Sequence, residues 1–136
     1  MSEPLFAQHF TRAEATLWIA KLRRELPALA DLVQRIGPDL ARLRPVIERR
    51  GNGGGIDVIR YVAVDEELAS ILQPIQEAGI VLKDLKRGLV DFPHLLPDGT
   101  EVFLCWELRD ADRIEWYHEL DSGYAGRRRL PPTHST

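Results

Sequence analysis

A long apolar stripe in the first third of the chain constrains the fold more than any other sequence feature. Its steps alternate four and three, which is typical of a coiled-coil seam, where one α-helix packs against another. Thr11 and Glu14 stand just before it with the spacing of a capping box, in which two side chains satisfy backbone N–H groups at a helix start. The pattern predicts one long helix over residues 11–50. The stripe consists of Ala15, Ile19, Leu22, Leu26, Leu29, Val33, Ile36, Leu40, Leu43 and Ile47.

Three prolines, Pro27, Pro38 and Pro45, interrupt this predicted helix. Proline lacks a backbone donor and crowds the carbonyl four residues earlier, so each is expected to kink or end a helix. Gly37-Pro38 is the strongest break, because glycine often follows a helix end and proline often opens the next helix. The apolar phase nevertheless continues past Pro38. We therefore predict a helix kinked at its prolines, with two separate helices as the alternative.

A second helix is predicted after the glycine-rich segment 49–55. Glycine and asparagine accept positive φ, so that segment is expected to form a turn. Val58, Leu68, Leu72 and Ile75 then supply an apolar helical face over residues 56–78, which ends at Gly79. Two helices joined by a short turn form an antiparallel hairpin. The sequence thus predicts a helical hairpin over residues 11–78.

After Gly79 the apolar pattern changes from helical to extended. Branched and aromatic residues predict strands at 80–85, 88–96, 100–108 and 113–120. Their short connections require antiparallel neighbours. The predicted fold is α+β: a long antiparallel helical hairpin, kinked at prolines, packed on a small three- to four-stranded antiparallel sheet over 80–120. Residues 1–130 are expected to form one domain and residues 131–136 a flexible tail.

Composition excludes several functional classes. A formal net charge of -3 over 136 residues argues against a nucleic-acid partner, which usually selects a basic excess. Cys105 is the sole cysteine, which excludes an internal disulfide and any multi-cysteine metal site. The N-terminus lacks the pattern of a secretory signal, and no apolar stretch is long enough to cross a bilayer. We expect a cytoplasmic protein without a membrane partner.

Four segments resemble a known family. They are FTRAEA at 10–15, GLVDFP at 88–93, CW at 105–106, and the Trp…His…Gly…Gly-Arg spacing within 116–127. Together they resemble a bacterial family catalogued as domain of unknown function 2203, over nearly the whole chain. The resemblance implies a small, stand-alone bacterial protein and implies no particular reaction.

The segment 114–130, IEWYHELDSGYAGRRRL, holds most of the candidate functional residues. Strand alternation is expected to turn Trp116 and His118 to one face and Glu119 and Asp121 to the other. A metal site would join His118 to Asp91 and His94 of the neighbouring predicted strand. One histidine with carboxylates can hold a divalent metal such as manganese, iron or zinc. A hydrogen-bonded or surface histidine is the simpler alternative.

Arg127 is a candidate for anion binding. It follows Gly123 and Gly126, whose open backbone allows N–H groups to converge, and guanidinium matches carboxylate or phosphate geometry. The alternative is that Arg127 pairs with Asp91 or Glu119 and fixes the end of the chain on the sheet. The predicted ligand-binding residues are Asp91, Trp116, His118, Glu119, Asp121 and Arg127.

Asp91 and Cys105 each have a structural interpretation as well. Asp91 is flanked by apolar residues, so it is expected to face solvent, to pair with Arg127 or Lys83, or to serve a site, because an unpaired buried charge is costly. Cys105 lies in an apolar strand and is predicted to be a small buried hydrophobic residue. A nucleophilic role would require His118 within hydrogen-bond reach.

Two functions of different class follow from these observations. The first is a small ligand- or metal-binding protein, with or without enzymatic activity, whose polar site lies around His118, Asp91 and Arg127. The second is a non-catalytic interaction module that forms a homodimer through its helical hairpin. That hairpin would extend beyond the sheet and expose apolar surface for a partner.

Overall fold

A computed structural model describes residues 3–36, 43–50, 56–63 and 66–134, with the backbone alone described for 43–50 and 56–63. Within these ranges the α-helices are α1 (Arg12–Ile36) and α2 (Glu66–Glu77). The strands described are β1 (Leu43–Arg50), β2 (Ile56–Ala63), β3 (Val81–Asp84), β4 (Leu89–Leu95), β5 (Glu101–Trp106), β6 (Trp116–Glu119) and β7 (Arg128–Arg129). The α+β class is as predicted.

The predicted helical hairpin over 11–78 is wrong. The first helix ends at Ile36, and β1 and β2 pair antiparallel from Leu43 opposite Ala63 to Arg50 opposite Ile56. The segment 56–63, IDVIRYVA, is rich in branched and aromatic residues, which favour a pleated strand over a helix. Pro45 lies in β1, and its missing N–H disfavours the interior of a helix there. The expected break at Gly37-Pro38 and most of the predicted turn at 49–55 lie outside the described residues.

The predicted three- to four-stranded sheet is also corrected, because the sheet has five strands in the order β3-β4-β5-β6-β7. Each strand pairs antiparallel with the next one along the chain. The four predicted strands are present but shorter than expected. The fifth, β7, contains Arg128 and Arg129, which carry no apolar pattern, and it pairs with Trp116 and Tyr117 of β6.

The two helices cover one face of the five-stranded sheet. The capping box predicted at the start of α1 is present: the Glu14 N–H donates to Thr11 Oγ1 at 3.0 Å, and the Thr11 N–H donates to Glu14 Oε1 at 2.8 Å. The part of the apolar stripe from Ala15 to Leu29 faces the core between the helices and this sheet. No helix in the described ranges is long and apolar enough to cross a membrane. The core includes Ala15, Ile19, Leu22, Leu26, Leu29, Leu68, Leu72, Ile75, Val90, Phe92, Leu104 and Trp106.

The other face of the sheet is covered in part by the N-terminal segment. Phe6 packs against Phe103 with the ring centroids 5.2 Å apart, in a smaller cluster that also contains Val81. The carboxylate of Glu101 accepts the backbone N–H groups of Leu5 and Phe6 at 2.7 and 3.1 Å. This segment therefore buries residues that would otherwise face solvent.

Two leucines of α1 provide a matched test of this packing. Leu26 is fully buried and Leu17 is 80% exposed. We expect Leu26→Ala to lower the free energy of unfolding by about 2–5 kcal/mol, because it leaves a cavity under the helix. Leu17→Ala should change it by less than about 0.5 kcal/mol. Urea unfolding of both variants measures the difference, and equal losses would contradict the assigned face.

Candidate functional site

Three adjacent strands bring Asp91, Cys105 and His118 together on the sheet face that lies away from the helices. Asp91 on β4 stands opposite Cys105 on β5, and His118 on β6 stands opposite Phe103, the residue two positions before Cys105. Because side chains alternate along a strand, all three share one face. Each is at most 2% exposed. One potential ligand atom from each lies within 4.8 Å of the other two.

Hydrogen bonding defines the protonation of His118. Its Nδ1 lies 2.8 Å from the carbonyl oxygen of Glu119, and its Nε2 lies 3.0 Å from Asp91 Oδ2. A carbonyl and an ionised carboxylate both accept, so this geometry favours a proton on both ring nitrogens, the imidazolium form. Burial alone lowers the pKa of His118, but the hydrogen bond and negative charge of Asp91, with the Glu119 carbonyl, outweigh burial and raise that pKa. Asp91 and His118 therefore form a buried ion pair.

Cys105 is a neutral thiol in this environment. Burial, followed by the negative charge of Asp91, raises the pKa of the thiol to about 12, against the opposing effect of Arg127. Arg127 Nη1 lies 3.9 Å from the sulfur. Because both nitrogens of His118 already carry protons, the ring has no lone pair to take the thiol proton. This arrangement does not provide the activated nucleophile of a Cys-His pair.

Only one of the two carboxylate oxygens of Asp91 has a hydrogen-bond partner among the described residues. Oδ2 meets His118, and Lys83 Nζ lies 4.0 Å from the same oxygen. Oδ1 is buried and has no hydrogen-bond partner in the described part of the chain. A buried acceptor without a partner usually costs about 1–3 kcal/mol. The site therefore retains unused ligand capacity beside the thiol and the imidazole.

Arg127 is occupied by acidic and aromatic neighbours. Its guanidinium donates to both carboxylate oxygens of Asp110, at 2.8 and 3.1 Å, and lies 3.5 Å from Glu107 Oε2. It stacks over the rings of Trp116 and Tyr124, at 4.3 and 4.5 Å from the centroids. Burial lowers the pKa of Arg127, but the hydrogen bond and negative charge of Asp110, together with the contribution of Cys105, outweigh burial and raise that pKa. The acidic partner is thus Asp110, where the sequence suggested Asp91 or Glu119.

The remaining predicted site residues lie outside the buried group. Trp116 is partly buried, and the guanidinium groups of Arg127 and Arg129 lie 4.3 and 4.6 Å from its ring centroid. Glu119 is exposed and pairs with Arg128 at 2.7 Å, and Asp121 is exposed. The structure therefore groups Asp91 and His118, with Arg127 beside them, and leaves the two other acids at the surface.

His94 is buried but contacts other partners. Its Nδ1 lies 2.6 Å from the carbonyl oxygen of Phe10, and its Nε2 lies 2.9 Å from His134 Nε2. It does not join Asp91 and His118 in the group of close ligand atoms.

Cys105 is the member of the group that sequence reasoning did not assign to a site. The sequence feature that could have placed Cys105 in the group is the turn LPDGT at 96–100. A hairpin symmetric about Asp98 pairs position 91 with position 105, and this is the observed register. Counting outward from the turn would have set Cys105 beside Asp91.

The family resemblance extends over most of the chain. Residues 8–130 match the family described as an uncharacterized conserved protein (DUF2203). The chain belongs to this family. No curated protein and no solved structure matches it. The matched region of this DUF2203 member contains Asp91, Cys105 and His118, and the family description states no activity.

Two acidic residues allow the buried ion pair to be tested. Asp91→Asn should lower the free energy of unfolding by about 3 kcal/mol, because it leaves a buried imidazolium without its counter-ion. Glu119→Gln removes the exposed pair with Arg128 and should cost less than about 1 kcal/mol. Urea unfolding of metal-free protein measures both values. A cost for Asp91→Asn no larger than for Glu119→Gln would contradict the pairing of Asp91 with His118.

Proposed function

We propose that this protein binds a divalent transition metal of the zinc type through Asp91, Cys105 and His118. One observation carries the proposal: three buried side chains of ligating type, from three adjacent strands, hold their ligand atoms within 4.8 Å of one another. This set keeps the two predicted ligands Asp91 and His118 and replaces His94 with Cys105.

The donor set fits such a metal. Zinc binds thiolate, imidazole and carboxylate at about 2.0–2.3 Å, so tetrahedral ligand atoms lie roughly 3–4 Å apart. Small side-chain movements bring the three groups to that spacing. A thiolate favours zinc and other borderline or soft ions over magnesium and calcium, which prefer oxygen ligands only.

The surroundings of His118 also support a ligand role. Its Nδ1–H donates to the Glu119 carbonyl, which directs Nε2 toward Asp91 and the interior of the group. Metal-binding histidines usually have a backbone carbonyl or carboxylate at the other ring nitrogen, because it fixes the tautomer and the ring orientation.

Charge balance explains how a cation can enter beside Lys83 and Arg127. Before binding, the carboxylate is negative, the thiol neutral and the imidazolium positive, so the group carries no net charge. A divalent cation displaces one proton from the thiol and one from His118 Nε2, and the loaded group again carries no net charge. The positive neighbours therefore do not oppose the exchange through net charge.

Three protein ligands leave one position on a tetrahedral metal, the arrangement found in catalytic zinc sites. A small molecule or anion is the proposed occupant of that position, and Lys83 and Arg127 would favour a negative group there. We further propose a reducing compartment such as the cytoplasm, because the thiol ligand must stay reduced. The interaction module built on a helical hairpin is not retained. The homodimer remains a prediction.

Zinc titration of untagged protein against a competing chelator tests the ligand set. We expect one equivalent of zinc to bind. Cys105→Ser and His118→Gln should each weaken zinc binding by roughly tenfold or more. Loss of a ligand should weaken binding at least as much as loss of a hydrogen bond that supports a ligand. His9→Gln, at a partly buried histidine bonded to Glu101, is the matched control and should bind as wild type does.

Two outcomes would contradict this ligand set. One is the absence of stoichiometric binding by the wild-type protein. The other is weakened binding in His94→Gln with unchanged binding in Cys105→Ser, which would favour the set suggested by the sequence. Circular dichroism of each variant establishes that the fold is retained.

The number of protons released on zinc binding tests the proposed exchange of protons for metal independently of the ligand variants. Calorimetry of zinc binding in buffers of different ionisation enthalpy should report about two protons released per metal at neutral pH. The affinity should then rise by up to about a hundredfold per pH unit, since the free protein carries both protons. Binding without proton release would contradict a thiol and an imidazolium as the starting states.

A further inference from the structure

His94 contacts two separate segments of the chain, one at each end of the sequence. Its Nδ1 faces the Phe10 carbonyl at 2.6 Å, and its Nε2 faces His134 Nε2 at 2.9 Å. A carbonyl only accepts, so Nδ1 carries a proton and the neutral His94 ring presents a lone pair at Nε2. His134 must then supply the N–H between the two rings.

The two rings meet end to end. Their centroids are 5.1 Å apart and their Nε2 atoms are 2.9 Å apart. The difference, 5.1 less 2.9, is 2.2 Å, which is close to the sum of the two distances from ring centroid to Nε2. The nitrogens therefore lie nearly on the line that joins the ring centres, the geometry of a linear N–H···N bond. Protonating both rings would direct two N–H groups and two positive charges at each other.

The segment that His134 belongs to has few other anchors. Leu130 is buried and its N–H donates to the Glu115 carbonyl at 2.8 Å. Beyond it, Arg12 Nη1 donates to the carbonyls of Pro131 and His134 at 3.3 and 3.1 Å. These two bonds from Arg12 and the histidine pair hold segment 131–134 against the rest of the described fold.

We propose that His94 and His134 form a pH-sensitive latch, which holds segment 131–134 against the fold when the pair shares one proton and releases it when both rings are protonated. The proposal does not depend on metal binding by Asp91, Cys105 and His118. The loss of one would leave the other intact.

The charged groups around the histidine pair determine whether the latch is stable at high or at low pH. Burial, together with positive charge on His134 and His9, lowers the pKa of His94 against the effect of the Phe10 carbonyl. Glu101 pairs with His9 at 2.7 Å, and the Arg12 guanidinium donates to the His134 carbonyl at 3.1 Å. The latched state therefore binds a proton less readily than the released state, whose histidine pKa is about 6.5. The latch is stable above that pH and loosens as the pH falls below it.

Amide exchange of residue 134 gives a direct readout, because the His134 N–H donates to the Pro131 carbonyl at 3.0 Å. In protein freed of metal with a chelator, exchange is followed by NMR and corrected for the intrinsic pH dependence. The opening constant at residue 134 should rise roughly tenfold or more from about pH 7.5 to about pH 5.5. The Leu130 amide, in the adjoining buried residue, should keep its protection.

Two variants complete the test. His134→Ala should leave the amide at position 134 equally open at both pH values. His9→Gln removes one of the charges that lower the pKa of His94, so it should keep a pH step no larger than that of wild type. Equal protection of wild type at both pH values would overturn the latch. A step that survives in His134→Ala, or that opens Leu130 to the same extent, would also overturn it, because acid would then act elsewhere in the fold.

Discussion

The register between β4 and β5 determines both the core and the candidate site. It pairs Phe92 with Leu104 and Asp91 with Cys105, so the apolar pair faces the helices and the polar pair faces away. A slip of one residue would send Asp91 into the apolar core and expose Phe92, at a cost no nearby cation could offset. The side chains that hold the helices thus also fix the positions of the ligating groups.

The second face of the sheet tolerates burial of polar groups because its charges are matched. Asp91 pairs with His118, and Arg127 pairs with Asp110 and approaches Glu107. The Arg127 guanidinium also stacks over the rings of Trp116 and Tyr124. The Asp91–His118 pair together with the neutral Cys105 thiol carries no net charge, and this group of three can exchange two protons for a divalent cation without a change in net charge. This property links the buried ion pair to the proposed metal site.

Sequence reasoning was most successful where one face of an element is buried. The stripe from Ala15 to Leu29 and the strand pattern after Gly79 both reflect burial against the same core. It failed at residues 43–50 and 56–63, because the stripe continues through Leu43 and Ile47 while branched residues such as Val58 and Ile59 favour strands. Periodicity in short apolar runs does not by itself separate a helix from a strand.

The grouping of Asp91 with His118 could be predicted for a related reason. His118 and Asp91 were recognisable as polar residues within apolar strands, and the structure brings them to 3.0 Å. Cys105 looks like any small apolar residue until the hairpin register is counted. The pairing of Arg127 with Asp110 depends on the turn after β5, whose path no strand pattern specifies. Contacts between loops therefore lay beyond what periodicity can predict.

X-ray absorption at the zinc edge of the loaded, untagged protein tests the central claim most directly. The account predicts one sulfur neighbour at about 2.3 Å together with nitrogen and oxygen neighbours at about 2.0–2.2 Å. The sulfur contribution should disappear in Cys105→Ser. A shell of nitrogen and oxygen alone in the wild-type protein would contradict the assignment of Cys105 as a ligand and, with it, the proposed metal centre.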